Sequence, residues 1–348
     1  MKKVIMWFAV LMLIVVFVGV GCSKKKAEEE VAEAEAPVEE AKALEDMKIG
    51  YVMPYLEGWF GYWDLGWNLI MDKYGVETES ILTYWDVEKE LQAVRDFITM
   101  GVDAISIEST SPDTAQVMAQ LANEAGIPIM IDSSSLAPGP GKPFFDISFD
   151  YGAMGALAGE KITEMWPGAK VLHMAGIAGF PPTEDQDEAL KAGAEAGGYE
   201  YVGTEYTGYQ IEDSKNILRD TIASGKEFDV ILCASQEVAE GSIEALKSAN
   251  MLDDVIVIVV NYGPLDVDNF DQGELDFAIG QSVGLHAMVA AVVTLNYLQG
   301  IEPFSTVAHL PFQWLTPENH REEGITWAVD ESWIPVAEKY AKTGILEY

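Results

Sequence analysis

Cysteine and histidine, the side chains that most often hold transition metals or act as nucleophile and base, are few in this sequence and are widely separated. It contains two Cys and four His. The histidines do not cluster as a metal site requires, and we interpret each as a packed or surface residue: His173, His286, His309 and His320. No Gly-Lys-Ser/Thr phosphate loop, His-Glu-x-x-His helix or Cys-x-x-Cys pair is present. The sequence therefore argues against zinc chemistry and phosphoryl transfer, and it predicts no metal and no cofactor.

Carboxylates, by contrast, are abundant. There are 57 Asp and Glu against 21 Lys and Arg, a net charge of −36. This charge repels nucleic acid and anionic membrane surfaces, because phosphate binding needs clustered Lys and Arg, and only three Arg occur. Paired carboxylates can hydrolyse glycosides, but with so many acids a pair carries little information. The composition therefore excludes nucleic-acid partners and does not favour an enzyme.

The first 21 residues have the layout of a secretory signal peptide. A positive start, Met1–Lys3, precedes a nearly unbroken apolar run from Val4 to Val20. The alternative, a transmembrane helix that is retained, is weaker because the run is barely long enough to span a bilayer and ends in small residues. Residues 1–21 are therefore predicted to be removed, which gives the protein an extracytoplasmic location.

The residues around Cys22 resemble the lipobox of bacterial lipoproteins. Gly21 stands directly before Cys22 and a polar tract follows, although Gly19 occupies a position where that family usually has Leu. The resemblance implies cleavage before Cys22 and a lipid on its thiol, which anchors the protein to the membrane and leaves Cys233 without a disulfide partner. Residues 22–47 lack aromatic residues and are rich in Ala and Glu, so they are predicted to form a flexible acidic tether.

The remaining 301 residues alternate between short β-branched runs and longer amphipathic stretches. They carry 15 Lys and Arg against 48 acids, so the acidity belongs to the folded body. The alternation is typical of βαβ units on a parallel sheet, and helix N-caps are predicted at Asp86 and Asp113. Nine strands are predicted: Lys48–Met53, Thr78–Thr83, Ala104–Glu108, Pro128–Asp132, Lys170–Met174, Tyr201–Tyr206, Val230–Cys233, Ile256–Val260 and Asp276–Gly280. Eight helices are predicted: Tyr62–Tyr74, Val87–Met100, Asp113–Glu124, Gly152–Met165, Thr183–Ala196, Glu212–Ala223, Gln236–Ala249 and Leu285–Leu298. A break near Phe144–Tyr151 divides them into two halves.

Three segments resemble the ribose- and galactose-binding class of periplasmic solute-binding proteins. They are Gly-Val-Asp-Ala-Ile at 101–105, Ala-Asn-Glu-Ala-Gly-Ile-Pro-Ile at 122–129, and the strand end at Asp132. The resemblance extends from about Lys48 to about Asn319 in the same order and spacing. It implies an α/β fold of two doubly wound parallel-sheet lobes joined by a three-crossing hinge, with the ligand between the lobes.

The resemblance also implies an organisation and a role. The three crossings fall near Asp150, Gln281 and Leu310–Thr316, so an N-terminal lobe would comprise 48–149 plus 282–310, and a C-terminal lobe 150–281 plus 311–348. The lobes would close around a ligand by a hinge motion, and the permease of an ABC transporter would recognise the closed form. A monomer without enzyme activity is expected. In the segment after His320, Trp327, Trp333 and Tyr340 are expected to pack a terminal helix onto one lobe.

Binding residues are transferred from this family position by position. Six aromatic rings lie between Tyr55 and Trp67. Within that run Trp59 and Phe60 match family aromatics that stack on sugar faces, whereas Trp63 and Trp67, one helical turn apart, are interpreted as core. The full candidate set is Glu57, Trp59, Phe60, Glu108, Asp132, Ser133, Glu184, Tyr209, Ser235, Gln236, Asn261 and Gln281, with Asp150 at the hinge. Ser133 and Glu184 stand where ribose-binding relatives have Arg, which argues against ribose itself.

Two ligand hypotheses remain open for such an acidic, aromatic cleft. The first is a neutral sugar or polyol that stacks on the rings and donates hydroxyl hydrogen bonds to the acids. The second is a cationic small molecule held by the acids and by cation–π contacts. Anionic ligands are rejected. A sensor lipoprotein that presents its ligand to a receptor is a further alternative, and Asp132 with Glu57 would form the one hydrolytic pair worth testing.

Overall fold

Two six-stranded sheets organise the computed structural model, which describes residues 42–321 and 327–347. The first sheet has the order β11-β5-β4-β3-β1-β2 and all its strands pair in parallel. The second has the order β12-β10-β9-β8-β6-β7, in which β12 alone is antiparallel. The strands are β1 Lys48–Met53, β2 Glu77–Leu82, β3 Ala104–Ile107, β4 Ile129–Asp132, β5 Phe145–Phe149, β6 Lys170–Ala175, β7 Glu200–Tyr206, β8 Val230–Cys233, β9 Ile256–Val260, β10 Phe277–Gly280, β11 Val307–Leu310 and β12 Gln313–Leu315.

Helices cover both sheets, and each sheet forms one lobe together with the helices that pack on it. The N-terminal lobe is the first sheet with α1, α2, α3 and α9, and the C-terminal lobe is the second sheet with α4 to α8. The helices are α1 Gly58–Tyr74, α2 Val87–Met100, α3 Pro112–Glu124, α4 Tyr151–Met165, α5 Pro181–Glu195, α6 Ile211–Ala223, α7 Gln236–Ala249, α8 Pro264–Gln272, α9 Val283–Leu298 and α10 Ile334–Thr343. The α/β fold class with two parallel-dominated sheets is confirmed.

The observed strands and helices differ in a few places from those predicted from the sequence. The region 144–151, predicted as a break, contains β5, whose residues alternate between buried and half-buried. The strands β11 and β12 and the helix α8 were also missed. The two missed strands β11 and β12 have four and three residues, too short for a periodic pattern to emerge, and α8 begins at the proline of a Gly-Pro pair that is typical of a turn.

Side-chain caps explain where two helices begin. Asp86 caps α2 as predicted and accepts hydrogen bonds from the N–H groups of Glu88 and Lys89. The predicted cap at Asp113 is wrong, because Ser111 accepts from Thr114 N at 3.2 Å and Pro112 begins α3. Proline suits this first position, since its missing N–H would have no partner inside the helix.

The buried core of the N-terminal lobe explains two of the aromatic residues. Trp63 and Trp67 are fully buried on α1 and their rings stack with centroids 4.9 Å apart. Both also contact the ring of Tyr51 on β1. The interpretation of these tryptophans as core residues is therefore confirmed.

The chain passes between the sheets after β5, after β10 and after β11. Asp150 lies at the first passage, where its carboxylate accepts from Ala153 N at 2.8 Å and caps α4. The segment after β12 returns to the N-terminal lobe, because α10 packs against α9 and Glu338 accepts from Tyr74 Oη at 2.8 Å. The sequence analysis assigned all of 311–348 to the C-terminal lobe, but α10 packs on the N-terminal lobe. No helix within the described ranges is both long and apolar enough to cross a membrane.

Candidate ligand-binding site

A cavity of about 700 Å³ lies between the lobes, at the carboxyl ends of the strands. This volume is in the range of small-molecule sites, and the position is where open α/β sheets bind ligands. Nine strands of the two sheets, β1 to β9, are followed by at least one residue of the lining. The lining consists of Tyr55, Glu57, Gly58, Trp59, Phe60, Tyr84, Trp85, Glu108, Ser133, Tyr151, Phe180, Pro182, Tyr209, Gln210, Ile211, Glu212, Asp213, Ser235, Glu237, Asn261 and Trp327.

Aromatic rings from both lobes form one wall of the cavity. Phe60 packs edge-on against Tyr55 and Trp59, with ring centroids 5.0 and 5.1 Å apart. Trp85 of the N-terminal lobe contacts Phe180 of the C-terminal lobe at 5.1 Å. The indole nitrogens of Trp59 and Trp327 are buried and have no hydrogen-bond partner. The wall therefore has apolar ring faces and two indole N–H groups whose hydrogen-bonding capacity is unused.

The charged groups of the lining are all acidic. Glu108 is 3% exposed, and its Oε2 has no hydrogen-bond partner. Burial, followed by the nearby carboxylates of Asp132 and Glu90, raises the pKa of Glu108 well above its ordinary value. Burial and the charges of Glu237 and Glu108 raise the pKa of Tyr55 to about 12, so its phenol remains a hydrogen-bond donor at neutral pH.

Unusual backbone conformations concentrate at the cavity. Six residues other than glycine have positive φ among the described residues, and five of them line it. The sixth, Asn250, ends α7 in the left-handed region that is common at helix C-termini. Such conformations cost of order 1–3 kcal/mol each and persist where function requires them. The five are Tyr84, Trp85, Ser133, Tyr209 and Asn261, with φ of 55°, 60°, 50°, 60° and 64°.

A family model described as a periplasmic binding protein domain matches residues 49–302. The chain belongs to this family. A relative from Rhizobium meliloti, whose name describes rhizopine binding, is 27% identical over 72% of this chain and 83% of its own length. The ribose import binding protein RbsB of Haemophilus influenzae is 24% identical over 66% of this chain and 77% of its own length. The crystal structure of an ABC transporter solute binding protein from Bacillus halodurans C-125 with bound myo-inositol has a TM-score of 0.75 at 23% identity, covering 79% of this chain and 96% of that one.

The candidate residues of this periplasmic binding protein divide into two groups. Eight line the cavity: Glu57, Trp59, Phe60, Glu108, Ser133, Tyr209, Ser235 and Asn261. The other four are held by neighbouring protein groups behind or beside the wall: Asp132, Glu184, Gln236 and Gln281. Contact of any of these residues with a ligand stays a prediction.

Asp132 lies behind the cavity wall, although it was the residue that best matched the family pattern. It is fully buried, and its Oδ2 accepts from Trp63 Nε1 at 2.9 Å. Its Oδ1 accepts from Ser133 Oγ at 2.9 Å and lies 2.9 Å from His286 Nε2. Both oxygens are therefore occupied, and the carboxylate orients Ser133 rather than a ligand. Because Glu57 lines the cavity and Asp132 does not, the two do not form a hydrolytic pair.

The remaining three residues also bind protein groups. Glu184 on α5 accepts from Gly179 N at 2.7 Å and so shapes the loop before that helix. Gln236 accepts from Leu265 N at 2.9 Å and donates to Glu237 Oε1 at 3.0 Å. Gln281 donates to the side-chain oxygen of Asn261, whose amide nitrogen donates to Ala234 O at 3.0 Å. These side chains position lining residues.

Several residues of the lining were not predicted from the sequence. Tyr84 and Trp85 come soon after the end of β2, and Gln210 to Asp213 come after β7, so their places after strand ends were the available signal. Trp327 had no such signal, because it lies beyond the last strand and outside the residues that the family model matches. Only the folded chain brings it to the cavity.

Residues 280–284 have a Gly-x-Ser-x-Gly pattern between a strand and a helix, which in α/β hydrolases presents a nucleophile. Here the oxygen of Ser282 accepts from Leu285 N at 3.2 Å, and its φ of −97° is ordinary. Ser282 is buried and is not part of the cavity lining. It acts as the N-cap of α9 at the passage between the lobes. In the ranges 42–321 and 327–347, no three His, Cys, Asp or Glu side chains are grouped to hold a metal ion.

Proposed function

We propose that this protein is the extracytoplasmic solute-binding component of an ABC importer and that its cavity captures a small neutral sugar or polyol. The observation that carries the proposal is the composition of the lining, in which aromatic faces, protonated phenols and carboxylate oxygens meet between two lobes. Relatives support the class of ligand, since one is named for ribose import and one structure holds myo-inositol.

Each part of the lining has a role in this binding mode. The faces of Trp59 and Phe60 stack on ring C–H groups, which carry a slight positive charge that matches the negative face of an aromatic ring. Glu108, Glu57 and Asn261 accept hydrogen bonds from ligand hydroxyls, and carboxylate acceptors form the stronger bonds. The phenol of Tyr55 donates to ligand oxygens. Closure of the lobes excludes water, and the permease then recognises the closed form.

The membrane anchor is part of the proposal. Cys22 and the apolar run before it lie outside the described residues, so the proposal rests on their sequence alone. Cleavage before Cys22 and lipidation of its thiol would hold the protein on the outer face of a membrane. Metabolic labelling of the full chain with a palmitate analogue tests this, with Cys22→Ala as the unlabelled control. Retention of label in Cys22→Ala would refute the site of attachment.

A ligand screen by thermal shift tests the binding function. The mature protein is heated with myo-inositol, D-ribose, D-allose, D-galactose or simple amines, each with and without calcium. A ligand at 100 times its Kd stabilises the folded state by about 2.7 kcal/mol, which raises the Tm by several degrees. We expect at least one sugar or polyol to produce this rise. If none does at millimolar concentration, the proposal of sugar or polyol capture is wrong.

A further inference from the structure

Glu108, a residue of the cavity lining, has a buried carboxylate oxygen without a hydrogen-bond partner. Glu108 follows β3 and is 3% exposed, and Oε2 of its carboxylate has no hydrogen-bond partner. The neighbouring buried acid, Glu90, is by contrast satisfied by the hydroxyls of Ser109 and Thr110 and by the Thr110 N–H. A buried acceptor that lacks a donor costs free energy, more so when it is charged. The fold keeps this oxygen available for a donor that enters the cavity.

The surroundings of Glu108 favour a cationic donor. Glu57 and Glu237 line the same cavity, and Asp132 and Glu90 lie behind it. The tyrosines that face it, Tyr55, Tyr151 and Tyr209, are neutral donors. The described lining contains no Lys, Arg or His. The ammonium group of Lys89 lies over the ring of one lining residue, Tyr84, but that residue is largely exposed. Several like charges in a closing cavity repel one another unless a cation compensates.

The aromatic rings of the lining also suit a cation. Tyr55, Trp59, Phe60 and Trp85 form a contiguous group with centroid separations of 5.0 to 6.2 Å. The negative faces of aromatic rings attract ammonium groups as well as sugar C–H groups, and the attraction increases when water is excluded. The same wall thus serves a polyol ring and a positive charge attached to it.

We propose that the preferred ligand is an amino-polyol, a sugar or cyclitol in which one hydroxyl is replaced by a protonated amine, and that this amine binds Glu108. Glu237 and the aromatic group supply the rest of its environment. The inference rests on the proposed capture of sugars or polyols and changes one feature of it, since the preferred ligand carries a positive charge in place of one neutral hydroxyl. An ammonium has three donors, so it can satisfy Oε2 of Glu108 and still bind a second acceptor.

Calorimetry with matched ligand pairs tests the proposal. The pairs are D-galactose with D-galactosamine and myo-inositol with a monoamino-inositol, and the N-acetylated amines serve as neutral controls. At neutral pH we expect the better amine to bind at least tenfold more tightly than its hydroxyl partner, and acetylation to remove the advantage. Glu108→Gln should abolish the advantage and change the affinity of the neutral partner by less than about threefold. Glu160→Gln, which neutralises an exposed acid on α4, should leave it intact.

The outcomes separate this inference from the proposed function. If neutral polyols bind as tightly as the amines or more tightly, the inference is overturned and sugar or polyol capture stands. If no member of either pair binds, both fail. If amines without hydroxyls, such as putrescine, bind as tightly as amino-polyols, the polyol assignment is wrong. A Tm rise with calcium alone that is lost in Glu108→Gln would assign the carboxylate to a metal and overturn the inference. The ligand comparison uses the unmodified protein, so it holds even if Glu108→Gln does not fold.

A separate observation concerns the segment after β12, which lies beyond the residues matched by the family model. Trp327 is fully buried, lines the cavity and has an indole Nε1 without a partner. Its ring packs against Tyr62 of α1 with centroids 6.0 Å apart. On the other side, a Cβ added to Gly263 would lie 3.1 Å from Cζ2 of the indole. Contacts from both lobes therefore hold the ring in place.

The flanking residues attach this segment to both lobes. On the C-terminal side, His320 Nδ1 lies 3.0 Å from Tyr262 Oη, and Arg321 pairs with Asp271. On the N-terminal side, the backbone of Ala328 packs so closely on α9 that a Cβ at Gly284 would approach the Ala328 oxygen to 2.5 Å. The helix α10 then packs along α9. These attachments orient the indole N–H before any ligand arrives.

We infer that Trp327 is a binding residue that donates a hydrogen bond from Nε1 to a ligand oxygen. Trp327→Phe keeps an aromatic ring and removes the donor. It should weaken binding of the best polyol among myo-inositol, D-ribose and D-galactose about threefold to tenfold, as expected for one hydrogen bond. Trp333→Phe, a half-buried tryptophan of the same segment outside the lining, should leave the affinity unchanged.

The indole resonance of Trp327 provides a second readout. In ¹H–¹⁵N spectra of the unmodified protein, this signal should shift when the polyol is added, and it should be identified by its absence in Trp327→Phe. Unchanged affinity in Trp327→Phe, together with an indole signal that does not move, would overturn the assignment. If Trp327→Phe does not fold, the indole signal is assigned instead by its through-space contact with the Tyr62 ring, and the spectrum of the unmodified protein then decides.

Discussion

Replacement of Trp59 by alanine should weaken ligand binding far more than it weakens the fold. Trp59 is half-buried; its ring packs on Phe60 at 5.1 Å and on His286 at 5.9 Å, and the rest of it faces the cavity. A ligand that covers one ring face removes roughly half of the side-chain area, about 75–125 Å². At about 25 cal/mol per Å² this contact is worth about 2–3 kcal/mol. Trp59→Ala should therefore weaken binding roughly 30-fold to 150-fold.

The effect on stability should be smaller. A fully buried tryptophan loses about 3–5 kcal/mol when truncated to alanine, and Trp59 is only partly enclosed by protein. We expect a loss of about 1–2 kcal/mol in the free energy of unfolding. Trp314→Ala is the matched control, because Trp314 is also half-buried and stacks on Phe277 at 5.2 Å outside the cavity lining.

Calorimetric titration with the polyol that binds best among myo-inositol, D-ribose and D-galactose measures the affinity, and urea unfolding measures stability. Trp59→Phe should recover most of the affinity, since it restores an aromatic face. The reasoning is refuted if Trp59→Ala binds within about threefold of the unmodified protein, or if Trp314→Ala weakens binding as much. Either result would mean that stacking at position 59 does not carry recognition.

Three further changes test other parts of the site. Gly176→Ala places a methyl group where the Tyr209 ring lies, so it should displace that ring and weaken myo-inositol binding about tenfold with the fold retained; unchanged affinity would remove Tyr209 from the site. The raised pKa of Glu108 means that binding of D-galactosamine should release protons and tighten as the pH rises from 5 to 7, and Glu108→Gln should flatten this dependence. Burial and then Asp132 raise the pKa of Asp146 to about 7, so the stability that its protonated form supports is complete below about pH 4 and is lost as the pH rises through 7. Asp146→Asn should therefore raise the Tm at pH 8 and not at pH 4, and an equal effect at both would exclude titration as the cause.

The sequence predicted the lobes well because their signals are local. Strands such as Ile256–Val260 are runs of β-branched residues bounded by turns, and helices such as Val87–Met100 carry a cap and an apolar stripe. The alternating residues of β5 were a local signal that the sequence analysis overlooked, whereas β11 and β12 are short strands that are stabilised by pairing with strands distant in sequence. Local periodicity has no information about such partners.

The roles of two neighbouring carboxylates show where sequence reasoning ends. Glu108 and Asp132 stand at the carboxyl ends of the adjacent strands β3 and β4, and both were predicted as binding residues, Asp132 with the better match to the family pattern. In the fold, Trp63 from α1 and Ser133 donate hydrogen bonds to the two oxygens of Asp132, and His286 from α9 lies beside them, whereas Oε2 of Glu108 has no hydrogen-bond partner. Which acid is left for a ligand depends on side chains that come from far along the chain.

The sequence by itself therefore determined the βαβ architecture, the acidic character and the run of aromatic residues around Trp59, because each follows from residue type and short-range spacing. Tertiary structure decided which side chains reach the cavity. In the folded chain, Asp132, Gln236 and Gln281 form hydrogen bonds with neighbouring protein groups and do not line the cavity. Three residues that the sequence did not suggest as binding residues do line it: Trp85, Phe180 and Trp327. The physical reason is that buried polar groups bind whichever partner the packing supplies, and that packing is a property of the whole folded chain.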